Sequence, residues 1–382
     1  MNLFLMTFFL LYGGTHLYFF LKLKAAVQFG WGVGGCLALF LMVMVAAPVL
    51  VRVLEQQGME RPARLAAYCG YLWMGFLFLF FSAALAIDLW HGLLHAGEFF
   101  TRTDFSHLFL SRRAAFFVPL LWGAGAALYG YYEAQDIRLE RVVITSPKIP
   151  RSPGTLTLVQ LSDVHLGLIN RKERLTRMLD RVREARPDIL VVTGDLVDGQ
   201  INGLTGLAPL LNAIRPPLGK FAVTGNHELY AGLDHSLDFM RDAGFRVLRG
   251  VGVTIPAAHV SIAGVDDPVT YRVSGIAPED EQRLLSGMPG DGFTVLLKHR
   301  PAVARQSAGL FDLQLSGHVH KGQIFPFNLV TWLFYPVKTG LSQTRGGGLL
   351  YVSRGTGTWG PPIRFLAPPE VTVFELRHGE KS

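Results

Sequence analysis

Two kinds of hydrophobic patterning divide the chain near residue 135. Before that point apolar residues run in long unbroken stretches; after it they alternate or recur at helical spacing. Four stretches have the roughly 20 residues that a helix needs to cross a bilayer core. They run over about 3–21, closed by Lys22 and Lys24; 31–51, stopping at Arg52; 65–87, dense in Phe and Leu; and 114–132, opened by Arg112 and Arg113. Trp31, Trp90, Tyr131 and Tyr132 fall near the ends, as in an interfacial aromatic belt. The first stretch lacks a basic start and is long for a cleavable signal peptide. The expectation is a transmembrane part over 1–135 with four helices, multi-pass in the cell membrane, and a globular domain over 136–382.

In the second part the pattern reads as strand and helix in turn. Arg138–Ile144 alternates like a strand, and Pro147, Pro150 and Pro153 break the chain before a second strand, Leu156–Leu161. Arg171–Arg186 places Leu175, Met178, Leu179 and Val182 on one helical face with charges opposite. Ile189–Val192 is a short apolar strand. Leu204, Leu207, Leu210, Leu211 and Ile214 make a helical stripe, followed by strand Phe221–Val223 and by a helix marked by Leu233, Leu237 and Met240. Further strands are expected at Val260–Gly264, Phe293–Leu297, Leu313–Leu315 and Val371–Leu376. This alternation predicts a layered α/β domain.

Composition narrows the picture. Only 17% of the residues are charged and half are apolar, an excess concentrated in the first part. Cys36 and Cys69 both lie in apolar runs, so the globular part has neither a disulfide framework nor a cysteine zinc site. The net charge of +7 comes largely from residues beside the spans or mixed with acids on one helix, and no aromatic-interleaved basic groove is legible. A nucleic-acid partner is therefore not expected. Positive charges are shared almost evenly between the two sets of loops, so either orientation of the spans fits. His16 is expected to satisfy a helix–helix hydrogen bond within the spans. His91, His95 and His107 are expected in or near a loop, with no spacing that pairs them as ligands.

The chemistry sits where the strands stop. Leu156–Leu161 runs into Asp163 and His165; Ile189–Val192 into Gly194, Asp195 and Asp198; Phe221–Val223 into Gly225, Asn226, His227 and Glu228. Phe293–Leu297 runs into His299, and Leu313–Leu315 into Gly317, His318 and His320. Any one such ending reads as a turn or a helix cap. Five in one domain, on strands whose ends reach one sheet edge, can converge. Carboxylates, an amide oxygen and imidazoles without thiolate suit divalent ions: manganese first, with iron, zinc or magnesium also fitting. A carboxylate bridging two ions would set them roughly 3.5–4 Å apart, with a hydroxide between them to attack phosphorus in line. No Gly-x-Ser-x-Gly elbow or catalytic cysteine is present, and Gly346–Gly348 is a turn rather than a phosphate loop.

The ordered blocks Asp-x-His, Gly-Asp-x-x-Asp, Gly-Asn-His-Glu, a single His and Gly-His-x-His, spread over Leu156–His320, resemble the calcineurin-like metallophosphoesterase superfamily. The end of the chain, from Leu350 to Glu370, is similar to its bacterial membrane-associated branch. The resemblance implies a two-sheet sandwich flanked by helices. It implies that Asp163, His165 and His320 hold one metal, that Asp195 bridges, and that Asn226, His299 and His318 complete the second site. His227 would be the catalytic histidine that protonates the leaving oxygen, oriented by Asp198. Relatives often continue Gly-His-Thr-His-Gly-Gly-Gln where this chain has Val319 and Lys321; Lys321 either meets a substrate phosphate or faces solvent.

The expected activity is metal-dependent phosphoester hydrolysis at a membrane, on a lipid-linked or membrane-associated phosphoester. The alternatives are a soluble phosphoester, or a sensor or transporter with an accessory phosphoesterase domain. Transport would want charged groups inside the spans, where only His16 and Asp88 come close. The apolar run Ile324–Tyr335, just after the metal-binding histidines, is expected to be a buried segment packing the sheet. The other reading lets it dip into the interface and receive an acyl chain. The Arg-rich helix Arg171–Arg186 is expected to be a solvated face rather than a headgroup contact.

Overall fold

A computed structural model of the chain describes residues 3–152, 154–199, 204, 206–275 and 280–380. Pro153, one of the three prolines read as chain breakers, lies outside them. The chain divides into two compact units. One is Met1–Tyr132 with Gly360–Phe365; the other is Glu133–Trp359 with Leu366–Ser382.

The first unit is built on α1 (Leu3–Val27), α2 (Trp31–Gln56), α3 (Glu60–Thr101) and α4 (Ala114–Glu133). Among the described residues, α2, α3 and α4 are long and apolar enough to cross a membrane by length and composition; α1 is a helix of 25 residues. The expected third stretch, 65–87, lies inside a longer helix. α3 has 42 residues and so is about 63 Å long, roughly twice a bilayer core. An apolar run measures a span, not a helix: residues 88–101 mix Asp88, His91, His95 and Glu98 into the apolar residues but keep good helix formers such as Leu, Ala and Glu. His91 and His95 therefore lie on this helix rather than in a loop, and His107 lies in a single 3-10 turn, Ser106–Leu108.

Phe19, Leu77, Phe80 and Phe116 fill the interior of this unit. At Gly70 a side chain would come within 2.7 Å of Ala47 Cβ, so α2 and α3 approach closely there. Several polar groups in these helices are paired. Trp73 Nε1 donates to His16 Nε2 at 2.9 Å, and His16 Nδ1 donates to the Tyr12 carbonyl at 2.7 Å. Asp88 forms an ion pair with Lys22 and accepts from the Tyr18 hydroxyl.

The second unit contains twelve described strands: β1 (Arg138–Ser146), β2 (Thr155–Leu161), β3 (Ile189–Thr193), β4 (Lys220–Val223), β5 (Arg246–Val247), β6 (Val251–Ile255), β7 (Val260–Gly264), β8 (Phe293–Leu297), β9 (Leu313–Ser316), β10 (Gly340–Gln343), β11 (Leu349–Val352) and β12 (Glu370–His378). They form two six-stranded mixed sheets, ordered β1-β12-β2-β3-β4-β5 and β10-β11-β9-β8-β7-β6. Between the strands run α5 (Lys172–Ala185), α6 (Leu207–Asn212), α7 (Asn226–Tyr230), α8 (Leu233–Asp242), α9 (Pro268–Ser274), α10 (Glu281–Ser286) and α11 (Phe327–Phe334).

Alternation along the strands sorts the two faces. Leu156 and Leu158 of β2, with Ile189 and Val191 of β3, join Ile262, Val295, Leu313 and Leu315 in the core between the sheets. Their neighbours Val159, Leu161, Leu190 and Val192 pack on the other face against α5, α6 and α8. A one-residue slip would exchange those faces, so the register is strongly specified. β2, β3, β4 and β5 are mutually parallel, as are β7, β8, β9 and β11. The C-terminal ends of the parallel strands within each sheet therefore share one edge.

Two expectations change. Of Ile324–Tyr335 only Ile324 is buried; α11, which forms over Phe327–Phe334, has no buried residue, so the stretch is not a buried packing segment. The arginines of α5 are not a purely solvated face. Arg174 donates to the Ala134 carbonyl, Arg177 to Gln135 Oε1 and Arg181 to the Ile137 carbonyl, so the helix grips the segment leading into β1.

Candidate metal centre

Five short turns after β2, β3, β4, β8 and β9 bring the predicted donors together. Asp163, His165 and His320 form one group, His165, Asp195 and His227 a second, and Asp195, His299 and His318 a third; within each, the donor atoms lie within 4.8 Å of one another. His165 and Asp195 are shared, so the three groups fuse into one centre.

The backbone that makes these turns is unusual. Asp163, His165, Asp195, His318 and His320 all have φ between 47° and 70°. Non-glycine residues in that left-handed region carry a conformational cost and persist where the surrounding structure dictates them. Gly317 supplies the room: a Cβ there would lie 1.9 Å from Ser162 Oγ and 2.2 Å from Asp163 Oδ2. The Gly of Gly-His-x-His is thus a requirement of space between two strand ends.

Most of the carboxylate and imidazole donors are fixed by further contacts. Ser162 Oγ donates to Asp163 Oδ2 at 2.5 Å, and the His318 amide donates to Asp163 at 3.0 Å. The His227 amide donates to Asp195 Oδ1 at 2.9 Å, while Asp195 Oδ2 lies 3.1 Å from His299 Nε2. His299 Nδ1 donates to the Thr193 carbonyl at 2.8 Å, which turns Nε2 toward the centre as the atom that would ligate a metal. His320 Nε2 lies 3.3 Å from Asp163 Oδ1 and 3.1 Å from His165 Nε2. Asp198 reaches both neighbouring rings, with Oδ1 3.2 Å from His165 Nδ1 and 3.0 Å from His227 Nδ1.

The electrostatics follow from buried charge of both signs. Burial alone would raise the Asp195 carboxyl, but the rings of His299 and His227 hold it well below the usual range. Asp198 is likewise held low, because hydrogen bonds from His165 and His227 outweigh burial. Burial works against charge on His227 and His299, yet Asp195 and its fellow carboxylates push both up to about 10. His318 goes the other way, to about 3, under burial and the charges of His299 and Arg300.

The donor set fits divalent ions on an observation independent of any motif. Asn226 Oδ1 is buried and has no hydrogen-bond partner among the described residues. A buried amide oxygen without a partner is costly, and a divalent cation bound there would supply what is lacking. Lys321 is exposed.

The family model for calcineurin-like phosphoesterases matches residues 156–322. A metallophosphoesterase of Aquifex aeolicus, itself uncharacterized, is 42% identical over 264 residues, covering 68% of this chain and 98% of that one. The chain belongs to the calcineurin-like metallophosphoesterases. It is a metal-dependent phosphoesterase by family, and the family generally uses two divalent metals. This metallophosphoesterase is also 34% identical to an uncharacterized metallophosphoesterase of Bacillus subtilis, over 67% of the chain and 91% of the relative. A Danio rerio protein named as a transmembrane protein with metallophosphoesterase domain is 32% identical, over 68% of the chain and 62% of the relative.

Several residues that build the metallophosphoesterase site carry no role in the sequence reading. Glu228 is fully buried and accepts from the amides of Gly225, Asp195, Leu196 and Val197 at 2.6–3.2 Å, tying the turn after β3 to the turn after β4. Its signal was present: an acid at the third position of a helix, where it can reach back to the cap. Tyr230 and Trp359 flank His227, with ring centroids 5.4 and 6.0 Å away. Gln323 holds the Trp359 backbone through both its amide and its carbonyl. Arg300 is held at 2.7 Å by Asp267 and donates to the Tyr335 hydroxyl at 2.9 Å. Nothing in the local sequence marks these partners, because they meet only across loops distant in the chain.

Proposed function

We propose that this chain is a membrane-anchored two-metal phosphoester hydrolase whose substrate is a lipid-linked or otherwise membrane-associated phosphoester. The reading assigns 1–135 to a four-span membrane part in the cell membrane and 136–382 to the catalytic domain. The observation that carries the catalytic part is the fusion of three donor groups through His165 and Asp195. Asp163, His165 and His320 would hold one ion, Asn226, His299 and His318 the other, and Asp195 would bridge them; manganese is the first candidate for both.

Two divalent ions there would supply an acidified water as nucleophile and neutralise the charge spreading over the phosphoryl oxygens. The chain's own residues do the rest. Asp198 engages Nδ1 of His227, so Nε2 is the atom that delivers a proton. As water adds to phosphorus and the ester P–O bond breaks, the leaving oxygen takes that proton. Glu228 holds the turn that presents Asp195, and Gly317 keeps the turns after β2 and β9 close enough to share the site. His16 and Asp88 are paired within the helices, which supports anchoring over transport.

The test compares detergent-purified full-length protein with its Asp195→Asn variant on bis(p-nitrophenyl) phosphate with added manganese, measuring bound metal alongside. Losing several kcal/mol of charge stabilisation corresponds to about a thousandfold drop in rate. Equal activity in the two proteins, with equal metal content, would overturn the assignment.

A further inference from the structure

Residues 324–337 contain no charged side chain, and Lys321 and Lys338 stand exposed on either side. Within this stretch α11 has no buried residue. Leu329 and Trp332 are 60% exposed, Leu333 72% and Phe334 75%. A water-facing surface forfeits the free energy of burial at every one of these side chains, and contiguous patches of this kind mark an interaction site.

We propose that α11 is an interfacial helix that seats the mouth of the metal centre on an anionic bilayer surface, so that the phosphoester it meets is one presented by lipid. Three observations select a bilayer as the occupant. An uncharged aromatic-rich helix with Trp at its exposed side and lysines beyond both ends has the chemistry of an interfacial segment on anionic lipid. Among its described residues the same chain carries three helices long and apolar enough to span a membrane. Only residues 134–137 separate α4 from β1, so a bilayer is present at high effective concentration. Third, the helix is built onto the centre at both ends. Its start packs so closely on the turn bearing His320 that a Cβ on Gly322 would lie 2.3 Å from the Asn328 nitrogen. Its end runs into Tyr335, whose ring lies 5.3 Å from His318 and whose hydroxyl accepts from Arg300, the residue after His299. The docking half stands on the helix alone; the substrate half rests on the hydrolase reading.

The experiment uses the full chain in vesicles of phosphatidylcholine and phosphatidylglycerol. Cys36 and Cys69 are replaced by serine, and a single spin label is placed through Leu333→Cys or, at an exposed position of α8, through Asp238→Cys. Power saturation is expected to show label 333 more accessible to oxygen than to a water-soluble nickel chelate, and label 238 the reverse. Label 333 behaving like 238 would place α11 in water and overturn the docking. Shielding from both relaxants would mean a protein cover, such as a second copy, and would overturn it too.

The paired assay compares hydrolysis of phosphatidyl-p-nitrophenol in those vesicles with that of soluble bis(p-nitrophenyl) phosphate. In the Trp332→Ser/Phe334→Ser protein the ratio of the two rates is expected to fall about tenfold, as for partial loss of two buried aromatic side chains. An unchanged ratio, or no vesicle hydrolysis by an enzyme active on the soluble ester, overturns the substrate half. Soluble hydrolysis that survives Asp195→Asn defeats the hydrolase reading instead, and leaves the labelling result intact.

Discussion

The helical unit and the sandwich unit use apolar residues in opposite directions. In α2 only 17% of the span window is buried, and in α4 33%, so most of the apolar surface points outward. In the sandwich, β3, β7 and β8 are buried along their whole length, and the two cores sit on either face of the first sheet. Polar groups reverse as well. Those in the helices are few and satisfied in pairs, such as His16 with Trp73. Those in the sandwich are concentrated at strand ends, where burial and mutual charge make each expensive to remove. The lesson is that the stake in a buried polar contact depends on what else shares it: a pair in a helix bundle is local, while Asp195 touches three histidines and two turns. α11 breaks the division, because it lies in the second unit yet exposes apolar residues as the first unit does.

Changes at these places should separate the two regimes. The largest effect is expected at Glu228→Ala, which leaves four buried amides without their acceptor. At about 1–3 kcal/mol per unsatisfied group, with partial relaxation, the loss is about 4 kcal/mol of stability, read from the denaturant midpoint, together with the metal. If the midpoint holds, Glu228 is not what joins the two turns. Next comes Leu158→Ala between the sheets, expected to cost about 2–5 kcal/mol, against almost nothing for Leu39→Ala on the outward face of α2. Comparable losses at both sites would abolish the contrast between the units.

A smaller effect is expected at Asp198→Asn. A partner that orients rather than ligates changes activity by about 10–100-fold, with the alkaline limb of the pH–rate profile displaced to lower pH, because His227 loses a carboxylate that holds it protonated, and bound metal little changed. Metal loss equal to that of Asp195→Asn would make Asp198 a ligand. The smallest effect is expected at Trp73→Phe, which removes the donor to His16. Interhelical hydrogen bonds in membranes average about 0.6 kcal/mol, so unfolding in detergent should shift only slightly. A loss several times larger would place a buried network in the helices and weaken the comparison at its root.

Much of the centre was legible because its chemistry is carried by residue type and order. Asp163, His165, Asp195, Asn226, His227, His299, His318 and His320 each follow a recognisable strand, and parallel strands must end together. Glu228 and Gly317 were visible but mute: their jobs, accepting four amides and making room for Asp163, exist only once two turns are adjacent. β5, β6, β10 and β11 escaped because they are short or half-exposed, so they show little alternation. The full length of α3 was not read because from Asp88 onward charged residues and histidines interrupt the apolar run that marks a span.

The sequence by itself determined the order of donors, the faces of the strands with strong alternation and the presence of apolar stretches long enough to span a bilayer. Each of those is a local property, set by residue type and by periods of 2 or 3.6. Only the tertiary structure decided that Phe327–Phe334 is an exposed helix rather than part of a buried segment packing the sheet, that Gly360–Phe365 groups with the helices and that the arginines of α5 hold residues 134–137. Apolar runs look alike whether protein, lipid or nothing covers them. What covers them is fixed by neighbours far along the chain, and periodicity carries no information about those.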